Sequence, residues 1–123
     1  MKSRVFELLY DGPFCSLNEY KSKHWTVLRR KINPIKTYSK ILIKDNKIPK
    51  LKSIKVKVYS NKRHDLDNVV GTVKPFIDTL REMCLKDDNK KYWKSFHIDE
   101  NPDVKKNCML IRIEGEIEDE SDT

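Results

Sequence analysis

Apolar and polar positions along this chain follow two periods, near two and near three and a half, and Gly, Pro or Asn marks most of the changes between them. The run KSRVFELLY predicts a short strand, which DGPFC ends at Gly12 and Pro13. Ser16 with Glu19 three residues later forms a capping-box pattern. Leu17, Tyr20, Trp25, Leu28 and Ile32 then recur at near-helical spacing. Asn33-Pro34 interrupts the stripe, and Ile35, Tyr38 and Ile41/Leu42 resume it up to Asp45. The region reads as two helical pieces or one kinked helix. Within it, His24 and Trp25 read as packing residues.

The stretch LKSIKVKVYSNKR alternates strictly, with Ile54, Val56 and Val58 on one face and Lys55, Lys57 and Tyr59 on the other, and predicts the clearest strand. Its lysines fit either edge protection or a phosphate-tracking surface. Val69/Val70, Val73, Phe76/Ile77, Leu80 and Met83/Cys84 then form an amphipathic helical stripe. A proline costs about 3 kcal/mol deep in a helix and little in its first turn, so Pro75 predicts a break or cap at Gly71-Thr72. A strand around Tyr92 to Ile98, a turn at Asn101-Pro102 and a period-two strand through CMLIRIEGEIE complete the pattern.

Length sets the frame: 123 residues suit one domain, read as residues 1–117, followed by an acidic tail at 118–123 expected to be disordered. Charged and apolar residues each make up 37% of the chain, so the core is thin and burial against a second chain is plausible. No apolar run is long enough for a bilayer and the first residues lack a signal-peptide pattern, so the expectation is a soluble, non-secreted cytoplasmic protein with no membrane partner. Cys15, Cys84 and Cys108 have neither C-x-x-C nor zinc spacing and read as reduced, buried thiols.

Charge is uneven. Residues 1–63 carry 17 Lys/Arg against four acids (+13), residues 64–113 carry nine of each, and the end from Glu114 carries six acids, which returns the net +7. A basic half joined to clustered carboxylates suggests a polyanion held over an acidic spot, although a merely solvated lysine-rich surface has the same composition.

That spot is RHDLDNVV, residues 63 to 70. In an extended segment Asp65 and Asp67 point the same way, and Asp87-Asp88 return after the predicted helix. Two carboxylates about 5 Å apart repel by roughly 3 kcal/mol at an effective dielectric near 20, so a divalent cation is a natural occupant. Oxygen-only ligands suit Mg²⁺ or Mn²⁺ and phosphodiester hydrolysis, with a lysine to stabilise the developing charge. An EF-hand is excluded, because Val69, Val70 and Phe76 stand where its fifth ligand, glycine and glutamate belong. Taken singly, Asp67 or Asn68 also serves as a helix cap and Asp87-Asp88-Asn89 as a turn.

Together, DLDN, KPFIDTL and DD resemble the RusA-type Holliday-junction resolvases, whose signature is D-x-D-N, then K-P-x-x-D-x-L on a helix, then a D-D pair. Asp65, Asp67, Lys74, Asp78 and Asp88 fall on the motif positions, and SLNEY resembles the family's early asparagine-containing segment. The resemblance spans roughly residues 12 to 113. One departure is the five residues VVGTV between D-N and K-P, where the family usually has two. Either the insertion adds close to one helical turn and keeps Lys74 facing the site, or it loops out at Gly71-Thr72.

The resemblance implies an α+β fold, a small mixed or antiparallel sheet with helices packed on it. It also implies a homodimeric, Mg²⁺-dependent endonuclease (Mn²⁺ as the alternative ion) acting on branched DNA, above all four-way junctions. The expected metal ligands are Asp65, Asp67 and Asp88 with Asp87 in support. Lys74 is expected at the scissile phosphate, and Lys55, Lys57, Lys62 and Arg63 along the DNA arms. The alternatives are a non-catalytic branched-DNA-binding protein and a nuclease for flaps or other branches.

Overall fold

In the computed structural model, residues 2–16, 25–61, 66–85 and 93–117 are described. They form β1 (Lys2–Tyr10), α1 (Trp25–Asp45), β2 (Ser53–Ser60), α2 (Leu66–Cys84), β3 (Trp93–Glu100) and β4 (Met109–Ile117). The sheet order is β1-β4-β2-β3, antiparallel except for the parallel pair β2–β3, so this is an α+β fold with a mixed sheet. A parallel pair needs a crossover, and α2 supplies it.

Alternation decides which face of the sheet is covered. Ile54, Val56 and Val58 of β2 are fully buried, and register sets Val56 against Ile113 and Val58 against Ile111 of β4. Phe6, Leu8 and Tyr10 of β1 continue the same rows. Against them lie Val69, Val73, Phe76, Ile77 and Leu80 of α2, while α1 packs on α2 and adds Leu28, Ile35 and Ile43. The other face carries Lys55 and Lys57, with Val5 and Leu9 of β1 about half exposed.

Both helices run through their prolines. In α1 the structure takes one of the two readings, a single helix from Trp25 to Asp45; the capping box at Ser16–Glu19 extends into residues 17–24, outside the described residues. Asn33 and Pro34 are exposed, so the Arg30 carbonyl that receives no proline N–H stands on a wet surface, where water lowers the cost. In α2 the expected break at Gly71-Thr72 is absent, and the helix begins at Leu66 and passes through Pro75. Burying an aliphatic or aromatic side chain contributes about 1.5–3 kcal/mol. The five buried side chains of the stripe therefore outweigh the roughly 3 kcal/mol that an interior proline costs.

Thr72 instead has a tertiary role. Its Oγ1 accepts the Cys15 N–H at 2.9 Å and donates to the Cys15 carbonyl at 3.5 Å, tying the segment after β1 to the middle of α2. Thr72→Val keeps the shape and strands a buried N–H, so it should cost about 1–3 kcal/mol, read as a fall of about 5–10 °C in Tm. An unchanged melting curve would show that this tie contributes nothing.

The ends of α2 are fixed at opposite ends of the sheet. Leu51 N–H donates to the Cys84 carbonyl at 2.5 Å and Leu51 bridges to Leu85, which pins the C-terminal end of α2 beside the start of β2. The N-terminal end follows the far end of β2, after Ser60. Asn101 Oδ1 accepts the Asp103 N–H at 2.9 Å, forming the expected turn between β3 and β4. Near the C-terminal end of β4, Gly115 lies where a Cβ would come within 2.8 Å of the Ser53 carbonyl and 2.7 Å of Leu51 Cδ1, so no side chain fits. The acidic tail at 118–123 lies outside the described residues.

Candidate functional site

Asp67 stands not in the extended segment expected of it but in the first turn of α2, half-buried, where the exposed N–H groups and the positive end of the helix dipole favour a carboxylate. A helix turns 100° per residue, so positions seven and eleven further on return to within about 20° of the same direction. Those positions are Lys74 and Asp78, both exposed. The stretch VVGTV is therefore helical, and it leaves Lys74 on the Asp67 stripe about 10 Å along the axis. Of the two readings of the insertion, the looped-out one is excluded.

Lys74 and Asp78 also form one wall of a groove of about 440 Å³ between the two helices. Trp25, Arg29, Ile32, Asn33 and Lys36 of α1 form the other, and Pro75 completes the lining. The Arg29 guanidinium lies over the Trp25 ring, 5.3 Å from its centroid. Trp25 does not pack in the core as its place in the stripe suggests, because it is 61% exposed. Positions 25, 29, 32 and 36 form a stripe of their own beside the buried one at 28, 35, 39 and 43. The W-x-x-x-R spacing is the signal that would have separated the two.

Lys55 and Lys57 project from the open sheet face, opposite the face that α2 covers. Their surroundings differ. Lys55 sits across from Glu114 and shares a shallow depression with Glu114 and Glu116, which weakens its appeal to phosphate. Lys57 sits between Arg112 and His97 on the neighbouring strands, a basic row that ends at Glu7 beside Arg112 on β1. The other expected site residues, Lys62, Arg63, Asp65, Asp87 and Asp88, lie outside the described residues. Among the described residues no group of three or more His, Cys, Asp or Glu is placed to hold a metal ion. Asp67 is a carboxylate donor, the type that suits Mg²⁺ or Mn²⁺.

Cys15, Cys84 and Cys108 are all buried. Burial pushes the Cys84 thiol up to about 11, and burial together with nearby Asp11 pushes Cys108 up. A protonated, enclosed thiol is a poor nucleophile at neutral pH. Tyr10 is likewise held protonated, by burial first and by Tyr38 second, and donates to the Pro13 carbonyl at 2.5 Å.

No helix among the described residues is long and apolar enough to cross a membrane. No protein-family model matches the chain, and no curated protein matches it.

Proposed function

We propose that this protein is a divalent-metal-dependent endonuclease of branched DNA, acting as a homodimer on four-way junctions. The observation that carries the reading is the single stripe of α2 on which Asp67 and Lys74 stand, directly after a lysine-rich strand. A carboxylate that binds the metal and a lysine that meets the phosphate need this relation, and the D-x-D-N, K-P-x-x-D and D-D sequence supplies the remaining donors. When bound, Mg²⁺ would polarise the phosphoryl group and lower the pKa of a coordinated water. Lys74 would hold the phosphate and offset the charge that develops on it.

The length of α2 supports the dimer. From Asp67 to Leu85 the helix axis covers about 27 Å, and three further residues of chain reach at most about 11 Å. That reach favours a carboxylate at position 88 serving Asp67 of a partner rather than of its own chain. A two-fold axis that sets the C-terminal end of one α2 beside the N-terminal end of the partner's would join them, giving two equivalent sites that suit a junction of two-fold symmetry.

The test is cleavage of a labelled, fixed four-way junction with and without Mg²⁺, alongside Asp67→Asn, Asp88→Asn and the two variants unfolded and refolded together. Paired nicks that require Mg²⁺ are expected from the wild type and none from either variant. A statistical mixture restores about a quarter of the sites if they are shared across a two-fold axis, and none if each chain builds its own. Tight junction binding without nicking in Mg²⁺ or Mn²⁺ would replace the nuclease with a binding protein. Equal cleavage of flaps and junctions would remove the junction preference.

A further inference from the structure

The groove between α1 and α2 contains more than the proposed chemistry uses. Lys74 belongs to that chemistry, but Trp25, Arg29, Asn33 and Lys36 come from the other helix and from no part of the motif. Tryptophan is the side chain with most to gain from burial, yet Trp25 is 61% exposed at the start of α1, with Arg29 as its ring partner. The helix that presents it carries six bases (Arg29, Arg30, Lys31, Lys36, Lys40, Lys44) against one acid, Asp45. An aromatic ring over a basic groove is the arrangement that binds unpaired nucleotides: the ring stacks on a base of any identity and the cations hold the phosphates. A volume of about 440 Å³ admits a small ligand such as a single nucleotide and is far too small for a duplex.

We infer that the α1–α2 groove is a single-strand subsite, in which an unpaired nucleotide stacks on Trp25 while Arg29 and Lys36 hold its flanking phosphates. Asn33 and Asp78 offer hydrogen-bonding groups to the base edge. This assignment rests on the nucleic-acid reading above and gives it a source of branch selectivity, since a flap, or a junction whose central pairs the protein opens, presents unpaired bases and a plain duplex does not. The subsite runs into the Lys74 end of the proposed catalytic stripe, so capture of a displaced nucleotide would set the adjoining phosphate near that lysine.

The experiment is equilibrium binding in EDTA, so that no cleavage step is involved. The probes are a single-stranded oligonucleotide carrying one 2-aminopurine and a fully paired duplex of the same sequence. Stacking on an aromatic side chain is worth about 5- to 150-fold in affinity per base. Trp25→Ala should therefore weaken single-strand binding about tenfold or more, Trp25→Phe should restore most of it, and duplex affinity should change less than about twofold. Arg29→Ala with Lys36→Ala should lower the log-log salt slope for the single strand by about 1.4, whereas Trp25→Ala should leave it unchanged. Unaltered single-strand affinity in Trp25→Ala, or an equal loss for duplex, would overturn the subsite. So would a loss of self-association in Trp25→Ala with oligonucleotide binding intact, which would make the groove a protein contact. Single-strand binding that depends on Trp25 in a wild type that never cleaves would uphold the subsite and sink the nuclease.

Discussion

Asp67→Asn should lower Mg²⁺-dependent junction cleavage about a thousandfold or more, while the variant binds the same junction in EDTA within a few-fold of wild type. The substitution is close to isosteric, and an amide in the first turn of α2 can still serve the exposed N–H groups, so losing the charge–dipole attraction costs at most about 1 kcal/mol of stability. On the proposed function the metal site would lose more. Mg²⁺ is held by one or two carboxylates in most protein sites, so removing one anionic donor removes a large share of what keeps it there. Metal charge supplies several kcal/mol at the transition state, and about 4 kcal/mol corresponds to about 10³ in rate. The measurement is single-turnover cleavage with a melting curve on the same sample. A variant that folds normally and cleaves within tenfold of wild type would show that Asp67 is a helix-terminal carboxylate and nothing more, and the reading built on its stripe would fall with it.

Much of the fold is legible in the sequence because burial enforces periodicity. Ile54, Val56 and Val58 had to face one way once Lys55 and Lys57 faced the other, and β2 lies where that alternation sets it. Gly12-Pro13 follows the end of β1 and Asn101-Pro102 turns the chain between β3 and β4, for reasons of backbone chemistry alone, whereas Asn33-Pro34 lies inside α1. What was misread is what depends on partners distant in sequence. Pro75 argues locally for a helix start, and only the sheet beneath α2 makes a helix through it the better solution. Gly71-Thr72 looks like punctuation until Cys15, 57 residues away, is seen hydrogen-bonded to Thr72. Trp25 fits the apolar stripe by spacing and leaves it by exposure, because α1 has two stripes a fraction of a turn apart that apolar spacing alone does not separate; only the arginine four residues on marks the second. The candidate chemistry was legible as residue types, two aspartates, a lysine and a second aspartate pair. Which of them meet depends on the length of α2, and that length follows from the same long-range burial.

Phe76→Ala should be the most damaging single change to the fold, by about 3–5 kcal/mol. Phe76 is fully buried, one residue beyond Pro75, on the side of α2 turned to the sheet. Its ring meets Tyr10 edge-on at 6.3 Å between centroids, and Tyr10 in turn meets Phe14 at 5.4 Å and Tyr38 of α1 at 4.8 Å, so one aromatic cluster joins β1, α1 and α2. Truncation leaves a cavity that these rings cannot collapse into, because Tyr10 is held by its bond to the Pro13 carbonyl and Tyr38 by the close approach of Gly12 to its face. In a domain whose whole stability is about 5–15 kcal/mol, a loss of that size lowers Tm by about 10–20 °C. Phe76→Leu fills most of the space and should recover at least half of the loss, whereas Tyr10→Phe removes only a hydroxyl and should cost about 1 kcal/mol. Cleavage adds a second readout, since Phe76 is buried toward the sheet yet seats the helix that carries Asp67 and the exposed Lys74. If Phe76→Ala at a temperature where it remains folded cleaves as well as wild type, the site tolerates a loosened α2. If cleavage falls further than the folded fraction does, the spacing of Asp67 and Lys74 relative to the sheet is part of the chemistry, and the aromatic cluster positions the site.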